Sequence, residues 1–141
     1  MSREQRADEI IAAGRFLYGR GWSPATSSNY SARLSATEAL LTVSGKHKGQ
    51  LGPDDVLVTD LNGQSLEPGK KPSAETLLHT QLYQWRADIG AVLHTHSVNA
   101  TVLSRATNAD ELLFEDYELQ KAFAGIATHE SQVRVPIFDN D

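Results

Sequence analysis

Segments of helical and strand periodicity alternate from one end of this chain to the other, with no linker, repeat or low-complexity tract between them. That alternation predicts a layered α/β domain, in which each element buries one face against the next layer. Arg3 to Arg20 sets Ile10, Ile11, Gly14, Leu17 and Tyr18 on one helical face, and Gly19 and Gly21 suit its end. Trp22 to Asn29 reads as a loop of small hydroxyl and amide residues. Ala39–Val43 and Val56–Thr59 read as strands, the second followed by an Asn62-Gly63 turn. Pro68 to Pro72 is a break, and Ser73 then stands as the N-cap of a helix through Trp85 with Leu78, Leu82 and Trp85 as its buried stripe. Ala91–His96 is a short strand, and Ser97 caps a helix through Val98, Thr101 and Val102. A further helix over Tyr117–Phe123 and a strand over Val133–Phe138 complete the pattern. At 141 residues the expectation is one domain, 1–141, large enough for its own core.

Composition removes several functions. The absence of cysteine excludes a disulfide framework, a thiolate zinc site and a cysteine nucleophile. A net charge of −5 argues against broad nucleic-acid binding. No apolar run reaches the ~20 residues that span a bilayer, and no signal-type segment follows Met1. The expectation is a cytoplasmic protein with no membrane or nucleic-acid partner.

His94-Thr95-His96 is the sharpest chemical feature. Residues i and i+2 of a strand share a face, so two imidazoles converge there, at the C-terminal end of an apolar strand. A metal pair and a hydrogen-bonded structural pair are the two readings. Glu75 and His79, four apart, share a helix face, as a surface pair or as a carboxylate aimed at a substrate. Glu118 lies in an acidic stretch with Glu111, Glu115 and Asp116, where a solvated face is the ordinary reading. Ser44-Gly45-Lys46-His47-Lys48-Gly49 concentrates cations in a glycine-containing turn, a setting for a phosphate; two ordinary polar turns are the alternative. Asn29 and the hydroxyls of Thr26-Ser27-Ser28 could add donors from the other loop. No G-x-S-x-G elbow supports serine chemistry.

These pieces occur in an order that resembles the class II aldolase/adducin superfamily. Ala25 to Arg33 resembles its T-S-G-N phosphate loop, Ser44-Gly45 its second phosphate loop, Ser73-Ala74-Glu75 its S-S-E helix start, and His94-Thr95-His96 its zinc pair. Trp22 to Ser27, Ser44 to Gly49 and Val135 to Asp141 resemble a dehydratase branch of it. The resemblance implies a three-layer α/β/α sandwich with a mainly antiparallel central sheet, a homotetramer with active sites between neighbouring subunits, and one Zn2+ per subunit. His94 and His96 would bind the zinc. Asn29, Ser44, Gly45 and Ser73 would hold the substrate phosphate, with Lys46 beside them in the basic turn. Glu118 matches the acid/base of the dehydratase branch and Glu75 that of the aldolase branch. The implied activity is a zinc-dependent lyase acting on a 1-phosphoketose, dehydrating it to a 2,3-diketone. Aldol cleavage, or a non-catalytic adducin-like scaffold, is the alternative. Two departures stand out. Ser28 replaces the family's usual glycine. The family's third zinc histidine comes from a later segment, which implies that the chain is C-terminally incomplete; the spare His79 and His129 do not match its place.

Overall fold

The computed structural model describes residues 2–139, so Asn140 and Asp141 of the C-terminal motif lie outside it. The chain forms two compact units, one through Val98 and one from Asn99 onward.

The first unit begins with helix α1 (Arg3–Gly19). Ser2 and Gln5 form a reciprocal capping box: Gln5 N–H donates to Ser2 Oγ at 3.2 Å and Ser2 N–H to Gln5 Oε1 at 2.8 Å. The helix ends in a Schellman turn, in which Trp22 N–H reaches Leu17 O at 3.0 Å and Gly21 N–H reaches Tyr18 O at 2.9 Å. Gly21 takes φ 73°, the left-handed conformation that such a turn requires and that a Cβ resists. Ala7, Ile10, Ile11, Gly14 and Leu17 are buried, as the periodicity predicts, whereas Tyr18 is exposed.

Four antiparallel strands follow: β1 (Asn29–Arg33), β2 (Glu38–Thr42), β3 (Val56–Asp60) and β4 (Ala91–His94), in the order β3-β2-β1-β4. β1 lies inside the sheet, although its sequence, Asn-Tyr-Ser-Ala-Arg, carries little apolar signal. Its alternation explains why. Tyr30 and Ala32 join Leu40 and Val56 in a core with Ile10, Ile11 and Leu17 of α1, where each aliphatic side chain contributes ~1.5–3 kcal/mol. Asn29 and Ser31 point the other way and bond to helix α2 (Thr76–Trp85). The first unit is thus helix, antiparallel sheet, helix: the expected layers.

The buried face of α2 differs from the expected one. Thr76, His79, Thr80 and Tyr83 are buried, while Leu78 and Leu82 are only partly covered and Trp85 is 73% exposed. The face is polar because β1 meets it with hydroxyl and amide groups, which must be bonded once buried. The helix starts at Thr76, after Glu75 at the cap; Ser73 sits one turn earlier, its carbonyl accepting Thr76 N–H at 3.2 Å.

The second unit contains helix α3 (Val98–Ala106, all but its first residue), β5 (Glu111–Phe114) and β6 (Val133–Pro136). β5 pairs antiparallel with β6 from Glu111↔Pro136 to Phe114↔Val133. Glu118–Ala122 is a 3-10 turn rather than a full helix. Leu103, Leu112, Phe114, Phe123 and Val135 line an open apolar cleft of about 470 Å³ in this unit.

Candidate active site

Three loops singled out in the sequence meet at one cleft. Thr26, Ser27, Ser28 and Asn29 line it from the segment after α1; Ser44, Gly45 and Lys48 from the turn after β2; Ser73, Ala74 and Glu75 from the start of α2; and His96 from the end of β4. Its volume is about 350 Å³. Sheet register sets the geometry. Asn29 pairs directly with His94 across β1 and β4, so the two side chains share a face. His96 lies just beyond β4, and its N–H donates to Trp22 O at 2.8 Å, which ties the histidine pair to the loop after α1. The imidazoles of His94 and His96 have centroids 4.6 Å apart.

Asn29 connects these groups. Its Nδ2 donates to Glu75 Oε2 at 2.6 Å, and its Oδ1 accepts from His79 Nε2 at 2.6 Å and His94 Nδ1 at 3.3 Å. Burial, and then the charge of neighbouring His94, push His79 down to about 4, so its ring is neutral at pH 7. Burial followed by the charge of His96 also lowers His94. A neutral imidazole is the form that ligates a metal. Because His94 Nδ1 faces an oxygen that only accepts, Nδ1 carries the proton and Nε2 keeps its lone pair. The donor chemistry of His94 and His96 therefore fits two ligands of a zinc ion. Among the described residues no cluster of three His, Cys, Asp or Glu side chains forms a complete metal site.

The anion end of the cleft is built differently from the expectation for Lys46. Lys46 is exposed and forms an ion pair with Asp55 at 2.8 Å, and it does not line the cleft. Lys48 does, although the residue is only 1% exposed. Its Nζ donates to Thr26 O at 3.0 Å and Lys46 O at 2.6 Å, bridging the two loops. Burial lowers its pKa, a strain on the cation that an anion in the cleft would relieve. Lysine in a glycine-rich basic turn was the available signal, but which of the two lysines turns inward depends on packing. Gly45 has φ 74° and Ser28 has φ 71°. Ser28, where the resemblance implies a glycine, thus stands in the left-handed region, and its Oγ donates to Trp22 O at 3.4 Å. Ser73 Oγ donates to Thr42 O at 2.8 Å at the cleft floor.

Glu118 belongs to the second unit. Its side chain is 72% exposed, bonded to Lys121 Nζ at 2.7 Å and 3.3 Å from His129 Nδ1. The Lys121 bond and charge hold its carboxyl below the usual range.

Residues 8–141 match the family described as the Class II Aldolase and Adducin N-terminal domain. The chain is 85% identical over 141 residues to a methylthioribulose-1-phosphate dehydratase of Pseudomonas syringae pv. syringae (strain B728a), covering 100% of this chain and 69% of that protein. It is 79% identical over 140 residues to the enzyme of that name in Azotobacter vinelandii, covering 99% of this chain and 68% of the relative. A solved l-fuculose-1-phosphate aldolase from Thermus thermophilus superposes with a TM-score of 0.69 at 28% identity, over 84% of this chain and 58% of the aldolase. The family match over residues 8–141 and the 79–85% identity to curated relatives settle the family: the chain belongs to the class II aldolase and adducin N-terminal domain family, on the branch of the methylthioribulose-1-phosphate dehydratases.

Proposed function

We propose that this chain catalyses the zinc-dependent dehydration of 5-methylthioribulose 1-phosphate to 2,3-diketo-5-methylthiopentyl 1-phosphate, a hydro-lyase step of methionine salvage. The observation that carries this reading is the single cleft onto which a buried lysine, two small-residue loops, Glu75 and His96 all open. High identity to dehydratases supplies the substrate.

The phosphate would sit between the Thr26–Ser28 and Ser44-Gly45 loops, beside the ammonium of Lys48. Two of the three Lys48 N–H groups are spent on Thr26 O and Lys46 O, which would leave the third for the anion. Asn29, Ser44, Gly45 and Ser73 frame that end of the cleft. His94 and His96 would hold the zinc, which when bound polarises the ketose carbonyl and acidifies the neighbouring C–H. A carboxylate then takes the C3 proton and returns a proton to the C4 hydroxyl as it leaves as water. The resulting enol ketonises to the diketone, so the net change is the loss of one water.

Glu118 is assigned that proton transfer, on its match to the dehydratase branch. As an exposed group held down by Lys121 it would be ionised at neutral pH and have no proton to return, so the role needs a drier setting. A neighbouring subunit of a homotetramer, with sites between subunits, would provide it. Glu75, held by Asn29 at the cleft, favours a second reading: aldol cleavage of the C3–C4 bond with Glu75 as base. Mass spectrometry of the product decides between them. One product lighter by a water is expected; two fragments would establish the aldolase reading instead.

A further inference from the structure

Asn29 is held from behind by residues that the proposed chemistry does not use. We propose that His79 is a positioning residue acting through Asn29: it fixes the amide so that Glu75, at the cleft, and His94, bonded to the same amide, are each held in one defined state. Its consequence for zinc rests on the reading of His94 as a metal ligand; the positioning itself rests on the hydrogen bonds.

The hydrogen bonds run in one direction. Glu75 Oε2 accepts from Asn29 Nδ2 at 2.6 Å, which turns Asn29 Oδ1 toward the two histidines. That oxygen has no hydrogen to give, so His79 Nε2, at 2.6 Å, and His94 Nδ1, at 3.3 Å, each carry one. A neutral His79 then presents a bare Nδ1, and Ser31 Oγ–H fills it at 2.7 Å. With its one hydrogen engaged on His79, Ser31 Oγ accepts from Tyr83 O–H at 2.7 Å. The sequence Tyr83, Ser31, His79, Asn29, Glu75 is thus a single chain of donors, with His94 joining at Asn29.

His79, Ser31 and Tyr83 are all buried beneath the sheet, and none lines the cleft. An aliphatic face on α2 would cover β1 without the cost of desolvating polar groups. What the polar chain adds is an amide that cannot rotate. Rotation of Asn29 by half a turn would set its NH2 against two N–H donors and its oxygen against the Glu75 carboxylate. With the amide fixed, His94 keeps its proton on Nδ1 and its Nε2 lone pair is bare.

The test reads tautomers directly. In the full chain, metal-free at pH 7, 15N spectra of the imidazoles should show His79 protonated at Nε2 and His94 at Nδ1. His79→Phe keeps the volume and removes the donor; His94 should then divide between tautomers, and zinc affinity should fall about 10–100-fold. His79→Gln supplies an N–H again and should restore the single His94 tautomer. A wild-type His94 protonated at Nε2 would overturn the proposal. So would a folded His79→Phe protein with unchanged tautomer and zinc affinity. If that variant does not fold, the wild-type spectrum decides alone. A wild-type chain that shows these tautomers but takes up no zinc would sink the metal reading and leave the positioning role standing.

Discussion

Lys48 and Lys46 lie two residues apart, yet one is buried at the cleft and the other pairs with Asp55 at the surface. Lys48→Met keeps the stem and removes the charge, so KM for the phosphoketose should rise at least about tenfold, ~1.4 kcal/mol of binding. Lys46→Met should change KM less than about threefold, since only an exposed ion pair is lost. Steady-state kinetics on the two variants checks this; equal effects would remove Lys48 from the phosphate site. Glu118→Gln keeps the shape but cannot take a proton, so turnover should fall by ~10²–10⁴ while zinc affinity is unchanged. Activity within about tenfold of wild type would take Glu118 out of the reaction. His79 carries a pH signature. Its folded pKa, about 4, lies below the ordinary 6.5, so the unfolded chain binds that proton more readily. Its contribution is complete above pH ~6.5 and is lost as pH falls toward ~4, a change of about 3 kcal/mol. Urea unfolding at both ends of that range should show His79→Gln losing less stability than wild type; parallel losses would refute it.

At the scale of elements, α1 and the Lys48–Gln50 turn are in direct contact through Gly14. A Cβ on Gly14 would lie 2.5 Å from Lys48 O and 3.0 Å from Leu51 Cδ1. Gly14→Ala should therefore destabilise the protein by ~1–3 kcal/mol and, by displacing Lys48, weaken phosphate binding. Thermal melting and phosphate titration of the variant measure both; a neutral melt with native phosphate affinity would show that the turn simply gives way. The elements read most easily from sequence were those with an apolar period: α1 within one residue at its end, and β2, β3 and β6 near their observed limits. β1 was hidden because its two faces answer to different partners, apolar α1 and polar α2. The same cause reversed the face of α2. Leucines marked the stripe in the sequence, but the strand beneath offers Asn29 and Ser31, and so His79 and Tyr83 turn inward.

For the whole molecule, the assigned role of Glu118 requires cover that a neighbouring subunit would supply. Val98, Val102, Leu119 and Phe138 present large apolar surface to solvent, which association would bury. Light scattering at micromolar concentration should find a tetramer, and its dissociation should abolish turnover; an active monomer would contradict the intersubunit site. No helix among the described residues is long and apolar enough to cross a membrane. The sequence by itself determined the ingredients: an α/β alternation, a histidine pair at a strand end, a basic glycine turn and a hydroxyl-rich loop. Their order marked the family, because order along a chain is a property of sequence alone. Only the tertiary structure decided which groups face one another. Antiparallel register set Asn29 against His94, burial chose Lys48 over Lys46, and the need to bond every buried polar group wired His79 to Glu75 through one amide. Those choices depend on contacts between residues far apart in the chain, which local periodicity does not encode.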